Sequence, residues 1–217
     1  MEGFKKKKSF PGVLGAIDGC HIDIKAPKES SVMYVNRKGR PSIILQAVCD
    51  HNCSFTDCFI GFPGSVHDAR VFSKSGMQER CNNDQFFPND SHILGDSAYP
   101  LSQHVLVPYK DNGHLTRKQT KFNVIHASTR VTIERAFGLL KGRWRRLNYL
   151  ELHCSAHIPS TIMAACVLHN FCIKNKDEIS FDVHPGGNNA QDITSDATTT
   201  KGGVVKRCQI AETLWHI

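Results

Sequence analysis

The sequence predicts an α/β fold with a mixed sheet, in which three antiparallel strands are followed by two parallel ones and helices flank the sheet. Short apolar or alternating segments, typical of strands, fill the first half of the chain. A tight turn joins the second predicted strand to the third, so these two strands should be antiparallel. From Thr116 onwards the periodicity becomes helical.

The first strand is expected where the apolar run at residues 13–17 continues into an alternating segment. Ile22 and Ile24 lie on one face of that segment and His21 lies on the other. Asp18 and Gly19 stand between the two parts, and Asp-Gly is a strong signal for a hairpin turn. The local pattern alone therefore favours a turn at residues 18–19.

The remaining elements follow from apolar patterning and from breakers. Further strands are predicted at residues 42–50, 54–62, 92–94 and 104–109. A helix is expected after Pro63 and Gly64, ending at Gly76. One face of a long helix is formed by apolar residues at positions i, i+4, i+7 and i+11, namely Ile133, Phe137, Leu140 and Trp144. A second long helix is expected at residues 158–176.

The element order β-β-β-α-β-β-α-α is that of the ribonuclease-H-like fold. We divide the chain into a basic amino-terminal segment (1–11), a ribonuclease-H-like domain (12–175) and a polar tail (176–217). The tail is rich in Asp, Asn, Gly, Ser and Thr, which predicts disorder. A short amphipathic helix is expected at its end.

The amino-acid composition indicates which class of partner and which cellular compartment to expect. The formal charge of +7 and the pI near 9.0 favour a polyanionic partner without proving one. The nine cysteines are odd in number and no secretory segment precedes them, so we expect reduced thiols inside the cell. No stretch is apolar enough for a membrane span, and we expect no membrane partner.

Three carboxylates border apolar runs, where an unpaired charge is costly and a metal would remove the cost. They are Asp18, Asp96 and Glu134. Metal-assisted phosphodiester cleavage needs such hard oxygen ligands to converge on one point. Alternatives remain for each: Asp18 as a turn residue, Asp96 as a cap or turn residue, and Glu134 as a solvated residue or the partner of a neighbouring arginine.

Two further features, an acid at the start of a predicted helix and a basic segment behind Glu134, each allow a functional and a purely structural interpretation. Asp68 begins a predicted helix, where the helix dipole alone favours an acid, and the adjacent His67 is a candidate ligand, phosphate contact or surface residue. Lys141, Arg143, Arg145 and Arg146 crowd the segment behind Glu134. They suit either a phosphate-backbone track or a solvated helix face. A zinc site is disfavoured because no CxxC pair occurs.

Four motifs in order resemble those of the nuclease domain of PIF/Harbinger transposases and the nucleases derived from them. They read GAIDGCHIDIKAP, GFPGSVHDARVF, ILGDSAYPL and ERAFGLLKGRWRRL, and the resemblance covers residues 12–174. It implies that Asp18, Asp96 and Glu134 form a DDE catalytic triad and that Asp68 joins the metal site. The implied cofactor is Mg²⁺ or Mn²⁺. In this interpretation the first strand continues through Gly19, which leaves room beside the metal site.

The resemblance also implies a substrate and partners. We expect metal-dependent hydrolysis of DNA, a Myb/SANT-like DNA-binding partner and a nuclear location, with a cytoplasmic pool allowed and homo-oligomerisation left open. Family members usually carry an amino-terminal helical region before the first catalytic strand, and because the printed sequence shows no such region we expect either a fragment or dependence on a partner. The alternative is a domesticated, catalytically silent DNA-binding or scaffold protein.

Overall fold

The computed structural model describes residues 2–152, 155–177 and 199–216. Its strands are β1 (Val13–Asp23), β2 (Ser42–Cys49), β3 (Phe55–Pro63), β4 (His92–Leu94) and β5 (Val105–Leu106). Its α-helices are α1 (Glu2–Lys8), α2 (Ser31–Tyr34), α3 (Asp68–Lys74), α4 (Met77–Cys81), α5 (Arg117–Arg143), α6 (Ile158–Lys174) and α7 (Lys201–Trp215). Short 3₁₀ turns lie at Asp84–Phe86, Pro88–Asp90, Arg145–Asn148 and Ser155–His157.

The five strands form one sheet in the order β3-β2-β1-β4-β5. Strands β1, β2 and β3 are antiparallel neighbours, whereas β4 pairs in parallel with both β1 and β5. This is the mixed sheet expected from the sequence, and it confirms the predicted ribonuclease-H-like α/β fold.

Strand β1 does not turn at residues 18–19. It pairs with β2 without interruption from Ala16, opposite Cys49, to Asp23, opposite Ser42. Gly19 also lacks the positive φ that a two-residue hairpin loop would need. The local turn signal was therefore wrong, because the apolar and alternating segments on both sides belong to one strand.

The short length of β4 leaves part of β1 open on one side. β4 pairs with β1 only from Val13 to Ala16 and ends at Leu94. Further along, the next neighbour on that side among the described residues is Leu150, which bridges Ile24. Between these points β1 borders a notch at the carboxyl end of β4.

Two hydrophobic cores cover the two faces of the sheet, and α5 contributes to both. The amino-terminal half of α5 packs through Phe122 beside Phe10 and Ile17. Its carboxyl-terminal half packs through Ile133 and Phe137 in the other core. A capping box at Thr116 fixes where the helix starts. The centre of α5 thus passes next to the notch.

The ends of the chain carry more structure than the sequence suggested. Helix α1 was not anticipated, and its Phe4 is buried in the first core. The expected terminal helix is present as α7, which packs against the same core through Ile210, Ala211 and Leu214. The disorder predicted for the linker concerns residues 178–198, which lie outside the described residues. Within the described ranges, no helix combines the length and the apolar character needed to cross a membrane.

We predict that Gly203→Ala destabilises the docked α7 by about 1–3 kcal/mol. A Cβ atom at residue 203 would lie 2.8–2.9 Å from backbone atoms of Ser102, which cannot rotate away. The measurement is the free energy of unfolding from urea titration, followed by circular dichroism.

Gly202→Ala is the matched control, because it adds the same methyl group to the same helix. Its Cβ atom would lie 3.6 Å from the flexible side chain of Gln103. We expect it to be neutral or to stabilise the chain by up to about 1 kcal/mol through helix propensity. Equal effects of the two substitutions would contradict the close packing of α7 on Ser102.

Candidate functional site

Asp18 is a buried carboxylate on β1, with only 4% of the residue exposed. The backbone N–H of Gly19 donates to its Oδ1 at 2.8 Å. Nη1 of Arg130 on α5 donates to its Oδ2 at 2.8 Å. Both carboxylate oxygens are therefore oriented, one by the strand and one by the helix that covers it.

Asp68 enters the notch from the start of α3 and lies over Gly19. A side chain at residue 19 would collide with the carboxylate of Asp68, because even a Cβ atom would overlap its Oδ1. Glycine is therefore required here for close approach and not for a turn. The family resemblance implied that Gly19 leaves space beside the metal site, and the position of Asp68 agrees with that expectation.

Asp96 lies two residues beyond the end of β4 and folds back on its own loop. Its Oδ1 accepts a hydrogen bond from the backbone N–H of Ala98 at 2.9 Å. One carboxylate oxygen from each of Asp18, Asp68 and Asp96 lies within 4.8 Å of the others. The carboxyl end of β4, the open edge of β1 and the start of α3 thus bring three acids to one point.

Glu134 stands apart from these three carboxylates. Nη2 of Arg130 donates to its Oε1 at 2.7 Å, one turn away on α5, while Nη1 of the same guanidinium binds Asp18. Arg130 therefore lies between Glu134 and the cluster. The pairing of Glu134 with a neighbouring arginine, one of the alternatives left open by the sequence, is what the structure shows.

Burial and neighbouring acids raise the pKa values of Asp18 and Asp68. Burial, together with the charges of Asp96 and Asp68, raises the pKa of Asp18 to about 7, although Arg130 opposes the shift. Burial and Asp96 raise the pKa of Asp68 to about 6. For Arg130, burial alone would lower the pKa, but Asp18, Glu134 and Asp96 raise it. Negative charge is thus under-compensated at this point.

Tyr99 adds an unpaired polar atom next to the cluster. Its ring is almost fully buried, and its hydroxyl has no hydrogen-bond partner among the described residues. Burial and the charges of Asp68, Asp18 and Asp96 raise its pKa well above the usual value. Three hard oxygen ligands, excess negative charge and an unpaired hydroxyl are what a divalent cation and its bound water would satisfy.

Arg130 and Tyr99 are the neighbours that the sequence interpretation missed. The spacing of Arg130 and Glu134, four residues apart on a predicted helix, is a signal for an ion pair. It could have identified Arg130 as the partner of Glu134, but not as the partner of Asp18, which is 112 positions away along the chain. No signal in the sequence pointed to Tyr99.

The predicted phosphate-binding residues behind Glu134 lie in different surroundings. Nζ of Lys141 donates to the carbonyl oxygen of His21 on β1 at 2.7 Å. Arg143 pairs with Asp177, while Arg145 and Arg146 are exposed. Only Lys141 is thereby held against the open edge of β1. No group of cysteines and histidines able to bind zinc occurs in the described part of the chain.

The carboxylate cluster lies on a ribonuclease-H-like sheet, and the comparisons place the chain in an endonuclease family. The chain belongs to the family described as DDE superfamily endonuclease, whose model matches residues 17–170. That range contains Asp18, Asp68, Asp96 and Glu134. Membership of this superfamily implies the use of a divalent metal.

The relatives are Harbinger-derived proteins, as the four motifs indicated. "Putative nuclease HARBI1" of Rattus norvegicus is 34% identical over 76% of this chain and 47% of its own length. "Protein ALP1-like" of Arabidopsis thaliana is 31% identical over 81% of this chain and 46% of its own length. The chain therefore spans about half the length of the curated relatives it matches. No solved structure gives a significant match.

We predict that Asp68→Asn stabilises the metal-free chain in alkaline but not in acidic solution. The folded-state pKa of Asp68 is raised from 3.8 to about 6, so the folded chain holds the proton more tightly than the unfolded chain. The contribution of Asp68 to the free energy of unfolding is fully present below the pKa that this residue has in the unfolded chain. It is lost as the pH rises through the pKa that it has in the folded chain. Asn mimics the neutral acid, and the gain at about pH 8 should reach up to about 3 kcal/mol.

The measurement is urea unfolding in chelator at about pH 4 and about pH 8. Asp111→Asn, in an exposed loop, is the control and should show no such difference. Addition of Mg²⁺ or Mn²⁺ should raise the melting temperature of the wild type, and the rise should be much smaller for Asp68→Asn. A variant that is no more stable than the wild type in alkaline chelator would contradict the crowding of these carboxylates.

Proposed function

We propose that the chain is a divalent-metal-dependent DNA endonuclease of the DDE transposase type that hydrolyses phosphodiester bonds. The observation that supports this most strongly is the convergence of Asp18, Asp68 and Asp96 within 4.8 Å at an open notch of the sheet. Buried like charges are costly, and a cation-binding role explains why this fold tolerates them.

The residues that would hold Mg²⁺ or Mn²⁺ are Asp18, Asp68 and Asp96. A divalent ion bound there would polarise the scissile phosphate and promote deprotonation of the attacking water, and a pair of ions would do so by a two-metal mechanism. Gly19 leaves the space that Asp68 occupies, and its N–H orients Asp18. The buried Tyr99 hydroxyl, which has no partner among the described residues, would be able to donate to a water bound beside the cluster.

Glu134 is the third member of the proposed catalytic triad, and Arg130 keeps it beside the notch. The single guanidinium binds Asp18 and Glu134 through different nitrogens. Arg130 therefore supplies positive charge while the ligands are not metal-bound. In this proposal Arg130 is a positioning residue, and release of Glu134 from it completes the triad.

A catalytically silent DNA-binding or scaffold protein is the second candidate, and one observation favours it. Arg130 already pairs with Asp18 and Glu134, so part of the negative charge is neutralised without a metal. The formal charge of +7 would support DNA binding in either case. If the chain is a nuclease, replacing the acids abolishes the metal-dependent cleavage of DNA. If the chain is catalytically silent, the wild type does not cleave DNA and the replacements change nothing.

We predict that Asp96→Asn lowers Mg²⁺- or Mn²⁺-dependent nicking of supercoiled DNA at least about 100-fold, because loss of a ligand should cost no less than loss of a partner that merely orients one. Binding of the same DNA should change little. Nicking is followed by agarose electrophoresis, with DNA binding measured in parallel.

Asp111→Asn makes the same chemical change on an exposed loop and should nick DNA at the wild-type rate. Full activity of Asp96→Asn would rule out the proposed site. DNA binding by the wild type without metal-dependent nicking, measured with any required partner present, would favour the silent alternative.

We further propose that the chain works in the nucleus with a Myb/SANT-like DNA-binding partner, with a cytoplasmic pool and homo-oligomerisation allowed. DNA as the substrate and the exposed lysines of α1 support the nuclear location. Imaging of the fluorescently tagged chain tests it, and complete exclusion from the nucleus would contradict it. Co-purification from nuclear extract, followed by mass spectrometry, tests for a Myb/SANT-like partner, and its absence would count against that assignment.

A further inference from the structure

A basic turn between α2 and β2 is held in one shape by a buried asparagine. The turn spans residues 35–41, and its ends form an antiparallel bridge between Val35 and Pro41. Oδ1 of Asn36 accepts the backbone N–H groups of Lys38 and Arg40 at 2.9 and 3.1 Å. Asn36 is 6% exposed and also donates to Ser42 on β2. The turn is thus fixed to the sheet before any ligand binds.

This turn brings Arg37 to the rim of the carboxylate cluster. Nη2 of Arg37 donates to Nδ1 of His67 at 2.8 Å, and His67 directly precedes Asp68. A guanidinium with further N–H groups to donate therefore stands beside the proposed metal site.

Lys38 of the same turn and Lys141 of α5 continue the positive charge along β1. His21 lies on β1 three residues beyond Asp18, and its Nδ1 is hydrogen-bonded at 3.0 Å with Oγ of Ser42, the residue that directly follows the turn. Lys141 is anchored on the His21 carbonyl oxygen. The basic turn and Lys141 thus both adjoin His21 on β1, three residues beyond Asp18.

We propose that the basic turn, with Lys141 beside it, binds the phosphate backbone of the DNA strand next to the bond to be cleaved and guides that strand along the open edge of β1 to the carboxylates. This inference deepens the proposed function and rests on it for the identity of the ligand. The residues assigned to the phosphates are Arg37, Lys38 and Lys141.

The charges around the cluster give the physical reason for this assignment. Three crowded carboxylates repel a polyanion, so a strand can approach them only where nearby cations offset the repulsion. A guanidinium suits phosphate because it offers several donors in one plane. Arg40 lies on the same turn but pairs with Asp23 at 3.4 Å, so we do not assign it to a phosphate.

The test measures how strongly DNA binding depends on salt. Binding of a short duplex is measured by fluorescence anisotropy in chelator, so it does not require the carboxylates to hold metal. Each lost phosphate contact should reduce the slope of log K against log salt by about 0.9. We expect Arg37→Ala and Lys38→Ala each to reduce the slope by about that amount, with unchanged melting temperatures.

Arg117→Ala is the matched control, because it also removes one exposed positive charge. It lies thirteen residues before Arg130 on the same helix, a distance of about 20 Å. Its slope should equal that of the wild type. Equal reductions in all three variants would show only a general charge effect and would overturn the proposed track, as would unchanged slopes for Arg37→Ala and Lys38→Ala.

Nicking assays on the same variants separate this inference from the proposed function. If the wild type nicks DNA with metal while Arg37→Ala and Lys38→Ala keep its salt slope and rate, the track is wrong and the nuclease assignment stands. If the wild type never nicks but the slopes fall as expected, the DNA-binding surface stands and the nuclease assignment fails.

Discussion

The crowding of three carboxylates in a partly buried notch is the constraint on which the surrounding structure depends. Burial, and after it the charges of neighbouring acids, raises the pKa of Asp18 to about 7 and that of Asp68 to about 6, because ionising these carboxylates together is costly. Nearby residues limit this cost without removing it: Gly19 supplies space and an N–H donor, and Arg130 supplies one positive charge. The arrangement lowers the stability of the fold at the point where the proposed metal would bind.

The position of the notch follows from the lengths of the elements. Strand β4 has three residues and β1 has eleven, so β1 extends beyond its parallel neighbour and leaves an edge open. Helix α5 takes part in both cores, which fixes its centre beside that edge. Arg130 reaches Asp18 from there. Packing that has no chemical role thus determines which charged groups meet.

The family match and the structure describe different parts of the chain, because helix α7 lies outside the matched residues. The family model covers residues 17–170, which include the acids of the site and Arg130. Helix α7 lies beyond that range, yet it packs into the first core through Leu214 and anchors buried Lys206 on Asp90 and Ser91, at the start of β4. The strand that carries Asp96 to the site is therefore buttressed by a helix outside the matched region.

The sequence by itself determined the five strands, the helices α3, α5, α6 and α7 and their order, because strand alternation, helical periodicity and breaking residues are local properties of the chain. It also supplied the acids, since carboxylates beside apolar runs are conspicuous and four ordered motifs indicated their family. Which of them meet was decided by the tertiary structure. Asp-Gly at residues 18–19 is a turn by local preference, but pairing with β2 holds it in a strand. Asp68 joins Asp18 and Asp96, and Arg130 reaches Asp18, because such distances depend on how residues 28 to 112 positions apart pack together.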